Sequence, residues 1–246
     1  HCVPASPIGV FMPTDLYYAA LFKPDGSFDD WDGNQDGYFG ELPEWTSPSP
    51  VNPDHVYGIP DLAVGRIPAS NEAEVKTYVG KALGYEILAF GASWAKSVLF
   101  IATTDWRDNA CQIFEEISAK YLQSWDPTAA EIYKPIVYKL YQADNPCQVT
   151  EHLNWVSIND RMDKGVGFVG YIGHGELDIW GIPGGYSISK VAKLSNSTTL
   201  PVIFAAACFT GRFTAFAPLD AYQDINGVNH EGANAGEVFS STPPQP

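Results

Sequence analysis

The sequence predicts an α/β fold with a mostly parallel sheet flanked by helices, and two observations carry that prediction. From Ser93 onward, short runs rich in Val, Ile and Phe alternate with longer amphipathic stretches, the pattern of strands joined by crossover helices. The apolar runs at 97–103 (SVLFIAT), 165–172 (GVGFVGYI) and 200–207 (LPVIFAAA) are near-continuous and do not alternate. Strands buried on both faces of a parallel sheet read this way.

Taken in order, the first candidate strand is 61–67 (DLAVGRI), ended by Pro68. A helix follows over 71–90, capped by Ser70 or Asn71, with Val75, Tyr78, Val79, Leu83 and Ile87 at helical spacing. After the 97–103 strand, a second helix covers 108–122, placing Ile113, Phe114, Ile117 and Tyr121 on one face. A weaker strand spans 132–141, interrupted by Pro135. Asn145-Pro146 cap and start a third helix that runs to about Asp163, and a shorter helix covers 187–194 between the last two strands. Residues 23–60 carry Pro, Gly, Asp, Asn and Ser throughout with no periodicity, so they form one long loop. Loops of that length inside a compact domain are commonly functional or held by a ligand. The tail over 212–246 is likewise loop-rich.

Length and composition narrow the function. At about 150 residues per domain, 246 residues make one large domain, or one with a small appendage, and 45% hydrophobic residues exclude a disordered chain. Fourteen Lys plus Arg against 29 Asp plus Glu give a net charge of −15, which repels phosphate backbones and anionic lipid, so nucleic acid is not the expected partner. No apolar run is long enough for a membrane span, and His1-Cys2-Val3-Pro4 has neither the charged nor the apolar region of a leader. A charged fraction of only 17%, with few Lys, points to an extracellular or cell-surface setting, and the acidic excess suits calcium. The four cysteines are too sparse for a disulfide framework. Cys111 and Cys147 each sit near the start of a predicted helix and could bridge, but sequence alone cannot show that their Cα atoms come within about 7 Å. Asn196-Ser-Thr198 is a glycosylation sequon, and His1, His55, His152 and His230 lack the spacing of zinc ligands.

The chemistry concentrates at two strand ends. His174 is flanked by glycines at the end of the 165–172 strand, and Cys208 ends the 200–207 run. In open α/β sheets ligands bind beyond the carboxyl ends of strands. A thiol and an imidazole delivered there by two strands linked through one short helix can share a site. Cys208 would be the nucleophile and His174 the proton donor to a leaving amine, with the backbone amides of Gly175 and Cys208 facing the oxyanion. Separately, 32–41 (DGNQDGYFGE) sets oxygen ligands at alternate positions with glycine at the sixth, as a calcium loop requires. Asp32, Asn34 and Asp36 would supply side chains, Tyr38 its carbonyl and Glu41 a late carboxylate. Pro43 stands where the usual bidentate Glu would be, so this is a shortened, structural variant.

At these residues the sequence resembles the gingipain-type cysteine peptidases of the caspase-like clan. Five blocks match in order: 13–18 (PTDLYY), the Asp-rich loop 32–41, 60–68 (PDLAVGRIP), Gly173-His174-Gly175 and Ala207-Cys208. The resemblance implies a caspase-like three-layer sandwich, endopeptidase activity on protein or peptide substrates, and His174 and Cys208 as the catalytic dyad. It treats 1–246 as a single catalytic domain with 23–60 as a calcium-loop insertion. The family's domain continues past the cysteine with further helix and strand, which fits a chain truncated at its C-terminus and part of a longer precursor. The acidic residue of the family's selectivity pocket has no counterpart placed by motif. Glu115, Glu116, Asp144 and Glu176 remain open as orienting partners of His174. The competing reading is a catalytically silent, calcium-binding surface or assembly module of the same fold.

Overall fold

The computed structural model describes residues 2–5, 10–35, 37, 39–40, 54–104, 110–122, 134–143, 146–211, 222–223 and 229–230. The chain divides into two compact units, 1–67 and 68–246. In the first, β1 (Cys2–Ala5) and β2 (Val10–Pro13) pair antiparallel, and α1 (Leu16–Ala19) is a single turn.

The rest of the first unit is built from loops tied by carboxylates. Asp29 is fully buried and accepts from the Tyr57 and Gly58 N–H groups, with the Lys23 ammonium 3.9 Å away. Asp61 Oδ2 accepts from the N–H groups of Leu21 and Phe22, each at 2.8 Å. Arg66 donates through Nε and Nη2 to the Asp15 carboxylate, and that guanidinium holds the Asp15 carboxyl below its ordinary range. The strand expected at 61–67 is therefore corrected: those residues form no ladder, because Asp61 and Arg66 are used as side-chain tethers. Along 23–60 the described residues are turns and extended chain, as the composition dictates.

The second unit begins with α2 (Glu72–Leu88), capped by Asn71 Oδ1, which accepts from the Glu74 N–H. None of its residues is buried, and Val75, Val79, Leu83 and Ile87 are exposed. The parallel sheet then forms from β3 (Ser97–Ala102), β4 (Ile136–Tyr141), β5 (Glu151–His152), β6 (Phe168–Ile172) and β9 (Val202–Ala206) in the order β5-β4-β3-β6-β9. Central β3 is buried at all six positions, the consequence of its continuous apolar run. Leu99 and Ile101 face one core together with Ile158 and Met162 of α4 (Trp155–Asp163) and Ile188 and Val191 of α5 (Ile188–Val191). Val98, Phe100 and Ala102 face the other core, covered by Ala110, Cys111 and Phe114 of α3 (Ala110–Ile117). Helices on both faces of a parallel sheet make the three-layer α/β sandwich. Gly170 is part of that fit: a Cβ there would lie 2.9 Å from Phe114 and 3.0 Å from Phe100, whose rings stack at 4.3 Å.

The described elements depart from expectation in several places. The helix expected from Pro146 to Asp163 begins only at Trp155, because Glu151 and His152 pair with Leu140 and Tyr141 instead. Its cap is Asn154, which accepts from the N–H groups of Val156 and Ser157, not Asn145, which lies outside the described residues. The expected 187–194 helix is regular over only 188–191. Two small antiparallel pairs were not anticipated: β7 (Ile179–Trp180) with β8 (Tyr186–Ser187), and β10 (Tyr222–Gln223) with β11 (Asn229–His230). Cys111 and Cys147 form a disulfide with Cα atoms 6.1 Å apart, joining the start of α3 to the segment after β4. No helix among the described residues is long and apolar enough to cross a membrane.

Candidate active site

The site is assembled by two neighbouring strands. In the β6–β9 ladder Ile172 pairs with Ala206, so His174 and Cys208 each lie two residues past one register pair, at the carboxyl edge of the sheet. Parallel neighbours run about 4.8 Å apart, which brings the two segments alongside each other. Both residues are exposed, and Cys208 carries a free thiol.

The His174 segment is held by a hairpin that sequence inspection missed. Gly181 N–H donates to His174 O at 2.8 Å and Glu176 N–H to Ile179 O at 2.9 Å, with Gly175 facing Trp180 between them. Tyr171 Oη also donates to His174 O, at 2.6 Å, from a ring stacked 4.3 Å from that of Trp180. The His174 carbonyl thus takes two bonds, one backbone and one phenolic, which fixes the backbone that carries the imidazole. Gly173 is required on the inner side: a Cβ there would meet the Tyr171 hydroxyl at 2.5 Å and Thr103 Oγ1 at 2.6 Å.

Glycine at 175 is required on the other side. A Cβ would lie 2.2 Å from the Cys208 carbonyl oxygen and 3.0 Å from Ala207 Cβ, so the backbone of the His174 segment rests directly on that of the Cys208 segment. Neither the Gly175 nor the Cys208 N–H donates to another backbone group among the described residues. Beyond Cys208 the chain turns sharply. Thr210 N–H donates to Cys208 O at 2.8 Å across Phe209, whose φ is +60°, a tight turn that a non-glycine residue adopts at a cost. Thr210 Oγ1 closes the same corner onto Ala207 O.

The open question of an orienting partner narrows. Glu115 is bound to the Lys139 ammonium at 2.6 Å and to the Tyr141 hydroxyl at 3.1 Å, on the side of β4. Burial first, and then the Glu115 charge, push the Tyr141 phenol well above its ordinary range, so it stays a neutral donor to that carboxylate. Glu116 is paired with Lys120, four residues on and just beyond α3. Both carboxylates are thus paired elsewhere, and Asp144 lies outside the described residues.

Of the calcium-loop residues, Asp32 and Asn34 are described, while Asp36, Tyr38 and Glu41 lie outside the described residues. Among the described residues no three His, Cys, Asp or Glu side chains cluster as a metal site would require. Gly37, at φ +85°, donates its N–H to Asp32 Oδ1 at 3.2 Å, bringing position six back onto position one. Gly33 packs so closely on the buried Asp54 that a Cβ would lie 2.5 Å from its carbonyl oxygen. The sequon asparagine, Asn196, is buried at 7% exposure, so its amide is not open to modification in the folded chain.

A family model of peptidase family C25 matches residues 1–239. Gingipain R2 of Porphyromonas gingivalis is 24% identical over 211 residues, which is 80% of this chain and 26% of that protein. The chain therefore spans about a quarter of the length of this curated relative. The complex of the Porphyromonas gingivalis RgpB pro- and mature domains superposes with a TM-score of 0.51 at 23% identity, over 72% of this chain and 40% of that one. A solved protease structure gives a TM-score of 0.52 at 19% identity, over 72% of this chain and 33% of that one. These two likenesses establish the fold.

Proposed function

The chain belongs to peptidase family C25, and from that premise we propose that it carries the Cys-His centre of a secreted or surface cysteine endopeptidase. The observation that supports this most directly is the meeting of the two strand ends, where the backbone of Gly175 rests on the Cys208 carbonyl and neither N–H donates to a backbone group among the described residues.

In this reading the Cys208 thiolate attacks the scissile carbonyl carbon and forms a C–S bond, and the negative charge moves to the carbonyl oxygen. The Gly175 and Cys208 N–H groups receive that oxyanion, a role in which losing one donor costs about 100- to 1000-fold in rate. His174 protonates the amine as the C–N bond breaks, and then takes a proton from the water that releases the acyl group from sulfur. The fixed His174 carbonyl keeps the imidazole carrier in register through both transfers. Asp32 and Asn34, with Asp36, Tyr38 and Glu41, would hold a calcium ion, which supplies rigidity to the loop and takes no part in bond making. The substrate is a polypeptide, and the acidic surface of a chain of charge −15 favours cationic over anionic partners.

The test is cleavage of a mixed peptide library by the chain and by its Cys208→Ala variant. Cleavage present in the first and lost in the second is the expected result. Equal background from both overturns the activity of this chain and leaves the catalytically silent module of the same fold.

A further inference from the structure

Glu176 lies two positions after His174 in the hairpin, and exposure alternates along it: His174 exposed, Gly175 buried, Glu176 exposed. Residues two apart in extended chain share a face, with Cα atoms about 6.5 Å apart. The Glu176 N–H is committed to Ile179 O, which fixes the residue at the start of the turn. Its carboxylate makes no hydrogen bond or ion pair among the described residues. Among the described residues, then, an exposed carboxylate on the imidazole's own face has no partner.

The direction of a substrate across this face follows from the chemistry. The thiol marks the scissile carbonyl and the imidazole marks the leaving amine, so the residues after the cut run past His174 toward Glu176. One residue of extended substrate rises about 3.3 Å, so the Glu176 position corresponds to the first or second residue after the cut. We propose that Glu176 is a specificity-determining residue that selects a cationic side chain, Lys or Arg, at one of those two positions. This deepens the peptidase reading and rests on it.

The experiment uses a peptide series identical except at the two residues after the cut, which carry Lys, Gln or Glu, with kcat/KM measured for the unaltered chain, E176Q and E176K. The quantity read is the preference ratio within each enzyme preparation, which cancels differences in folded fraction. The Lys-to-Gln ratio should exceed one in the unaltered chain and fall by about 1.5- to fivefold in E176Q, the range of an exposed ion pair. It should shrink with added salt, and the Lys-to-Glu preference should reverse in E176K. The same ratios in all three proteins would overturn the inference while leaving the peptidase reading intact. An equal fall for every peptide, with a moved pH profile, would also overturn it and make Glu176 a positioning residue for His174. If the unaltered chain cleaves none of the series or of the mixed library, the peptidase reading itself fails and this inference with it.

Discussion

Phe209 is where the local backbone works hardest. Its φ of +60° lets the chain reverse immediately after Cys208, with Thr210 N–H closing onto Cys208 O. A left-handed non-glycine residue costs about 1–2 kcal/mol, and a β-branched one more. Phe209→Val should therefore unfold at lower urea than Phe209→Gly, by about 1–2 kcal/mol, and, on the proposed peptidase function, lose most of the cleavage rate because Cys208 is displaced. Urea titration and kcat/KM on both variants check this, and equal midpoints would show that the turn stores no strain. At this scale the sequence exposes only part of the site. His174, Gly175 and Cys208 stand out because glycine and small residues interrupt apolar runs. Tyr171 does not, since a tyrosine inside a strand reads as core, and only the fold shows its hydroxyl 2.6 Å from the His174 carbonyl. Phe209 carries no sequence mark at all, because phenylalanine has no preference for positive φ.

At the scale of elements, strands were easier to read than helix boundaries. The 97–103, 165–172 and 200–207 runs become β3, β6 and β9, because a strand buried on both faces has few alternatives. The start of α4 was misplaced because Asn145-Pro146 and Asn154 are both good caps, and the choice was made by Glu151 and His152 pairing with β4, a tertiary event. The disulfide has the same origin. It became possible only because β3 and β4 are adjacent in the sheet, setting the segments after them side by side. Cys111 and Cys147 are 36 residues apart, and closing a loop of that size removes unfolded-state entropy worth about 4 kcal/mol, with measured values usually about 2–4. The Cys111→Ser/Cys147→Ser double variant should accordingly lose about 2–4 kcal/mol in urea titration. The same loss should appear in the unaltered chain at high dithiothreitol, and none in the double variant. A double variant as stable as the parent would show that the bridge merely follows from packing.

At the scale of the whole molecule, a parallel α/β sheet was legible and its order β5-β4-β3-β6-β9 was not, since order is fixed by side-chain fit such as Gly170 under Phe100 and Phe114. The first unit was opaque for a different reason. Its order comes from carboxylates binding distant amides, Asp29 to Tyr57 and Asp61 to Leu21, and such bonds have no period. The same acidity sets a test for calcium. A chain of charge −15 is opposed by its own repulsion, and raising salt from 10 to 150 mM shortens the screening length from about 30 to about 8 Å. Sodium and potassium chloride should therefore raise the unfolding midpoint gradually and alike. Calcium added at constant 150 mM salt acts by a different route, since a ligand bound only by the folded chain stabilises by RT ln(1 + [L]/Kd), about 2.7 kcal/mol at one hundred times Kd. Millimolar calcium should add a further rise that magnesium does not reproduce. Asp32→Asn should remove that rise, because Asp32 is position one of the loop and is already drawn against Gly37, while leaving the sodium chloride effect in place. If magnesium matches calcium, or if Asp32→Asn keeps the full increment, the cation acts on the overall charge and not on the 32–41 loop.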